Sequence, residues 1–313
     1  MNKLVSVLVI TYNSEKYVIE TLNSIKNQTY NNLELIISDD NSQDNTINLC
    51  EHWVNENKSF FKKINIVRSP INTGITKNIN RGFSRCSGEY IKPIAGDDLL
   101  FSDCIEKSIN FCLENHLEFI YGKVMPFYNK IGDADKKLKY IEEKNHQFFL
   151  LDGRKQYREL LKRFPIFTNG LFLSKKFYNM IRGFDENYEM MEDYPFLLKI
   201  VLMGMKINFL NDYTVAYRVR EKNERVFFKD TKRNKVHLKN LSDFEKNEIL
   251  PRLLEEKMYL TYYNVLIRRM ERFFLNKDST FLNILGKSLG YLSFEKIKGR
   301  FQKLLRGIIW TLY

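Results

Sequence analysis

Hydrophobic and polar positions alternate in blocks along the first hundred residues. LVSVLVIT (4–11) is a continuous apolar run rich in β-branched side chains, the pattern of a strand buried on both faces. NSEKYVIETLNSIKNQ follows, with Ser14 as a helix N-cap and Leu22 and Ile25 on a helical stripe. LELIIS (33–38) predicts the next strand, DDNSQDNT (39–46) a polar turn, and Ile47, Cys50, Trp53 and Val54 a second helix. KINIV (63–67) predicts a third strand. Residues 74–86 predict a third helix, in which Ile75, Ile79 and Phe83 recur every four positions, and EYIKPIA (89–95) a fourth strand. This alternation means βαβ units and an α/β fold with a mainly parallel sheet flanked by helices. Pro93 breaks the pattern, because proline removes a ladder donor and is rare in central strands.

From about residue 118 the regularity fades. EFIYGKVMPFY (118–128) reads as one or two strands, and NKIGDADKKLKYIEEKNHQ (129–147) as a charged insertion without apolar period. DGRKQYRELLKRF (152–164) predicts a short helix, 172–204 a turn, an acidic pair and a helix, and INFLNDYTVAYRVRE (207–221) strand character. Beyond residue 230 the chain reads as helical and dense in Leu, Tyr, Phe, Lys and Arg. The expected organisation is a domain over 1–225, with halves 1–100 and 101–225, and a basic helical C-terminal region over 226–313.

Charge narrows the partner. The 313 residues carry a formal net charge of +12, from 50 Lys and Arg against 38 Asp and Glu. That balance points to phosphates, lipid headgroups or nucleic acid. The charge is spread along the chain and no nucleic-acid motif occurs, so a nucleic-acid partner is not expected. Cys50, Cys86, Cys104 and Cys112 lack CxxC spacing and read as buried thiols of a reducing compartment. The apolar start is too short to span a membrane and turns polar too soon for a signal peptide. A cytoplasmic protein is therefore expected, soluble or peripheral on the inner face of the cell membrane.

In open α/β sheets ligands gather beyond the carboxyl ends of the strands. The polar residues there are Thr11, Tyr12 and Asn13; Asp39 and Asp40; Asn72 and Gly74; Asp97 and Asp98. The last two stand side by side in IAGDDLL (94–100), where two ionised acids repel unless a cation or hydrogen-bond donors offset them. Taken alone, IAGDDLL also reads as a solvated turn ahead of a helix.

In this order the strand-end residues resemble family 2 glycosyltransferases of the GT-A fold. The matching blocks are VSVLVITYNSEKYVIETLNSIKNQTYNNLELIISDDNSQDNT, NTGITKNINRGFSRCSGEYI, AGDD, GFDENY and MEDYPFLLKI, between about residues 4 and 220. The resemblance implies a Rossmann-like sheet and inverting transfer of a sugar from a nucleoside diphosphate-sugar, of UDP type, to a glycan or lipid-linked acceptor made for the bacterial surface. It assigns Thr11, Tyr12, Asn13 and Glu15 to the donor nucleotide and Asp39 to a uracil-type ring N–H, with Asp40 bracing the loop. Asp97 and Asp98 match the family's metal site for Mg2+ or Mn2+, one of them reaching the ribose hydroxyls instead. Gly74, at a helix N-terminus, Lys77 and Arg220 are placed on the diphosphate. Asp193 matches the catalytic base, and Glu192 would orient it or the acceptor.

Three positions depart from the family pattern: Ala95 where an acid is common, Ile79 where an arginine is, and Arg220 where a histidine is. They leave a non-catalytic nucleotide or phospho-ligand binder on the same fold as the alternative. The tail 286–313 carries Lys287, Lys296, Lys298, Arg300, Lys303 and Arg306 against Glu295, with Phe294, Ile297, Phe301, Leu304, Leu305, Ile308 and Ile309 at helical spacing. It reads as an interfacial helix on an anionic membrane surface, or as a helix packed on the domain or on a second copy in a homodimer.

Overall fold

The computed structural model describes residues 3–164, 168–219 and 232–275. Strand β1 (Val5–Thr11) is buried along nearly its whole length, as its unbroken apolar run requires. Parallel partners flank it: β2 (Leu33–Asp39) from Val5↔Leu33 to Thr11↔Asp39, and β4 (Tyr90–Ala95) from Val5↔Tyr90 to Ile10↔Ala95. β3 (Lys63–Arg68) continues the parallel array beyond β2. The crossovers are α1 (Val18–Lys26), α2 (Thr46–Asn57) and α3 (Ile75–Arg85). Val18, Leu22 and Ile25 of α1 and Cys50 and Trp53 of α2 pack with the valines of β1 into the main core. The carboxyl ends of β1, β2 and β4 thus lie side by side.

The rest of the chain completes an eight-stranded sheet of order β3-β2-β1-β4-β7-β6-β8-β5. Its members are β5 (Leu99–Leu100), β6 (Phe119–Phe127), β7 (Leu171–Ser174) and β8 (Phe209–Arg218). β7 is antiparallel to β4 and β6, β5 is antiparallel to β8, and β6 and β8 are parallel. The sheet is therefore parallel in its first half and mixed in its second. Helices α4 (Cys104–Glu114), α5 (Lys136–Phe149), α6 (Gly153–Lys162), α7 (Lys175–Met180) and α8 (Asp193–Leu202) complete this part.

Two features depart from expectation. The charged stretch after residue 129, expected as an insertion without apolar period, forms most of α5. Asp135 caps α5 by accepting from the Leu138 N–H at 2.8 Å, and Leu138, Phe148 and Phe149 bury its inner face. Pro93 fits because of where pairing stops. The Gly96 N–H donates to the Ile10 carbonyl, so alternate residues Tyr90, Lys92 and Ile94 face β1 while Pro93 faces β7. The β4–β7 ladder ends at Ile91↔Leu173, so no bond is lost at Pro93.

The chain divides into two compact units, Met1–Asn240 and Leu241–Tyr313. Within the second, a π-helical turn (Glu245–Ile249) runs into α10 (Leu250–Glu255), and Arg269 and Arg272 of α11 (Tyr259–Leu275) pair with Glu245 of that turn. α9 (Lys232–Phe244) leads into that turn. No helix among the described residues is long and apolar enough to cross a membrane. Arg220 and the tail 286–313 lie outside the described residues.

Candidate active site

At the ends of β1 and β2 the polar side chains mostly hold one another. Asp39 is fully buried; its Oδ1 accepts from the Thr11 hydroxyl at 2.8 Å and the Ser42 hydroxyl at 2.5 Å, and its Oδ2 from the Ser42 N–H at 2.8 Å. A donor base reaching this carboxylate has to compete with all three. Asp40 is the brace expected of it, accepting from Thr73 N, Thr73 Oγ1 and Gly74 N, with Arg81 at 3.6 Å. Asn13 and Glu15 also serve the loop: Asn13 Oδ1 accepts from Gln43 N at 2.9 Å, and Glu15 Oε2 from Asn45 N at 2.9 Å, at the start of α2. Gly74 adopts φ 87°, which favours glycine, and a Cβ there would lie 2.9 Å from the Glu189 carbonyl oxygen. That carbonyl also accepts from Thr76 N, so the 188–189 backbone occupies part of the α3 N-terminus proposed for diphosphate. Tyr12 is half-buried and Lys77 exposed, and Lys77 makes no hydrogen bond or ion pair among the described residues.

The paired aspartates after β4 point different ways. Asp98 is fully buried; its Oδ1 accepts from the Arg218 N–H at 2.9 Å and its Oδ2 from Asn169 Nδ2 at 2.8 Å. Burial and the neighbouring Asp97 push its carboxyl well above the usual range, opposed by these donors and by Lys92. Asp97 is half-buried, and its carbonyl oxygen accepts from Arg218 Nε at 2.9 Å. Arg218, two positions before Arg220, organises this end of the sheet. It is nearly buried, its guanidinium lies over Tyr17 and Phe127, and it pairs with Glu20 at 2.7 Å. Gly96 is needed because a Cβ there would lie 2.9 Å from Thr11 Cγ2.

This donor set tests the fit of a divalent cation. Asp98 faces inward with both oxygens bonded, and Asp97 is the more exposed carboxylate of the pair. Among the described residues no group of three or more His, Cys, Asp and Glu could hold a metal ion. A hard divalent cation such as Mg2+ or Mn2+ suits carboxylate oxygens of this kind, and Asp97 is the residue that would hold it.

The acid pair opens α8. Glu192 is the residue before its first turn and Asp193 the first residue within it. Asp193 Oδ2 accepts from the Thr168 hydroxyl at 2.5 Å, and no side chain among the described residues donates to Glu192. Burial raises both carboxyls: Asp193 to about 6 against the pull of Thr168, and Glu192 to about 8 with help from the charge on Asp193. Two acids pushed apart in this way allow one to take a proton while the other keeps its own. Thr168 and Asn169, adjacent in sequence, connect the pair at α8 to Asp98 after β4. Neither was anticipated, since polar residues in a loop leave no periodic signal.

The sheet order and the acids beyond its strand ends agree with the GT-A architecture that the sequence resemblance implies. Residues 6–180 match the family described as Glycosyl transferase family 2. The chain belongs to that family. It is 34% identical over 119 residues to an uncharacterized glycosyltransferase of Haemophilus influenzae, covering 38% of this chain and 46% of that one. It is 27% identical over 310 residues to the minor teichoic acid biosynthesis protein GgaB of Bacillus subtilis, covering 93% of this chain and 33% of GgaB. The chain thus spans less than half the length of either relative. Among solved structures, S. aureus TarS 1-349 in complex with UDP-GlcNAc shares the fold at TM-score 0.58 and 19% identity, over 96% of this chain and 92% of that one.

Proposed function

We propose that the chain transfers a sugar, with inversion, from a UDP-sugar to a hydroxyl of a surface glycan or lipid-linked acceptor, with Asp193 as general base. The observation that carries this is the bond from Thr168 to Asp193. It anchors an otherwise under-bonded carboxylate through the residue next to Asn169, which in turn holds Asp98 after β4. An acceptor hydroxyl beside Asp193 gives its proton to the free carboxylate oxygen as its own oxygen attacks the anomeric carbon. The bond from that carbon to the diphosphate breaks on the opposite face, and UDP departs. Glu192, holding its proton at neutral pH, donates a hydrogen bond that orients the acceptor or Asp193.

Asp97 would hold the divalent cation, which when bound neutralises charge on the leaving diphosphate. Lys77, exposed at the first turn of α3, and Arg220 supply further positive charge, and Tyr12 offers a flat face to the base. UDP as nucleotide is supported by the TarS complex and a surface-polymer acceptor by GgaB. Association of 286–313 with an anionic membrane is supported by its sequence alone; equal liposome flotation with and without the tail would dismiss it. The decisive measurement for the reaction is transfer from a panel of UDP-sugars by wild type and Asp193→Asn. The variant should bind UDP as wild type does while turnover collapses; undiminished turnover would remove Asp193 from its role.

A further inference from the structure

Lys92 lies midway along β4 with its side chain wholly removed from solvent. A buried ammonium is unfavourable unless partners replace its water. Its Nζ donates to the carbonyl oxygens of Asn169 at 2.7 Å and Leu171 at 3.0 Å, and Asp98 and Cys104 interact with it electrostatically. These bonds begin where the sheet stops. β4 and β7 pair only at Tyr90↔Ser174 and Ile91↔Leu173, and Pro93 could not extend the ladder. Beyond Ile91 the lysine head takes over the task of tying β4 to residues 168–171.

That segment also pairs with β6 at Tyr121↔Leu171 and reaches the site. Thr168 donates to Asp193, Asn169 to Asp98, and the Gly170 carbonyl accepts from Gly122 N of β6 at 2.8 Å. Gly170 leaves no slack, because a Cβ on it would lie 2.0 Å from the Gly122 carbonyl oxygen. We propose that Lys92 is a positioning residue for sugar transfer: by pinning 168–171 it holds Asp193 in register with the carboxylates after β4. The inference rests on Asp193 acting as base. Lys92 touches no reacting atom and works through Thr168 and Asn169. Among the described residues three groups face Asp193: Glu192 from the turn before α8, Tyr121 from β6 and Thr168 from the pinned segment. Of these, Thr168 favours the ionised form, so loosening the segment raises the proton affinity of Asp193.

The test compares Lys92→Met, similar in length but unable to donate, with Thr168→Val in the full chain. The readouts are kcat/KM against pH, UDP affinity with Mn2+ by calorimetry, and amide exchange over 168–174. Lys92→Met is expected to keep UDP affinity within about threefold, lower kcat by about tenfold, and speed exchange over 168–174. Its acid limb should move up by about one pH unit, as in Thr168→Val, and the double variant should move no further. A folded Lys92→Met with the wild-type acid limb and wild-type exchange overturns the proposal; should that variant not fold, Lys92→Gln decides by the same criteria. A wild-type chain that transfers from no UDP-sugar defeats the proposed function instead, and the exchange measurement still decides whether Lys92 pins the segment.

Discussion

At the ends of β1 and β2, Asp39 and Asp40 accept from Thr11, Ser42, Thr73 and Gly74, so that their oxygens are spent on holding loops. At the start of α8, Glu192 and Asp193 receive one side-chain donor between them among the described residues, the Thr168 hydroxyl. Both pairs are adjacent acids on a basic chain, yet the first is satisfied by protein and the second is left wanting. An acid whose lone pairs are taken by fixed N–H and O–H groups has little capacity for a substrate proton, whereas an under-bonded, partly desolvated one retains it. Adjacent acids in sequence thus divide into bracing and reactive kinds by what donates to them.

Substitutions that move an acid from one kind to the other test this contrast most sharply. The largest effect is expected at Asp193→Asn, with turnover falling by about 10³-fold while the fold is kept. Because burial raises Asp193 to about 6, wild-type kcat/KM should fall on the acid side of roughly that pH, as the base takes up its proton. A wild-type profile flat from pH 5 to 8 would break the comparison. Next comes Asp97→Asn, which should lose about 10²-fold in the gain that Mn2+ gives to UDP binding, read by calorimetry with and without chelator. Asp98→Asn should act on stability, since Asp98 is a brace. The third is Asp40→Ala, which leaves the Thr73 and Gly74 N–H groups unpaired. It should cost about 2–3 kcal/mol in urea denaturation, with transfer by the folded fraction little changed.

The first half of the sheet was legible because its strands are buried on both faces and its helices carry one apolar stripe; both leave a period in the sequence. α5 was not, since its buried face includes Asn145 and its two phenylalanines lie just beyond the charged stretch that masks it. β5 and β7 are too short to show an alternation. Family motifs pointed to Asp97, Asp98 and Asp193, but the side chains that decide what each acid does come from distant segments. Thr168 and Asn169 sit in a loop, and Arg218 was lost among the arginines of YRVRE. Lys92 did leave a signal, as a lysine inside a strand buried on both faces. Such a residue has to find buried oxygen atoms, and here those are the carbonyls that lead to the site.

Glu192 gives the smallest effect and the finest test of the contrast. Burial and Asp193 raise its carboxyl from 4.5 to about 8. Between those values the folded chain holds a proton that the unfolded chain has released, so stability is fully present below pH 4.5 and declines as pH rises toward 8. Glu192→Gln removes that decline without changing shape. It should therefore match wild type near pH 4 and exceed it by ~1 kcal/mol near pH 8. The figure is modest because both carboxyls remain partly open to solvent, which screens them. Thermal denaturation across this range reads the difference directly. A gain that is flat with pH would mean Glu192 is satisfied like Asp40, and the division between the two acid pairs would lose its physical basis. A gain that grows with pH, with reduced turnover in the same variant, would identify Glu192 as an acid kept at the expense of stability for what it does beside Asp193.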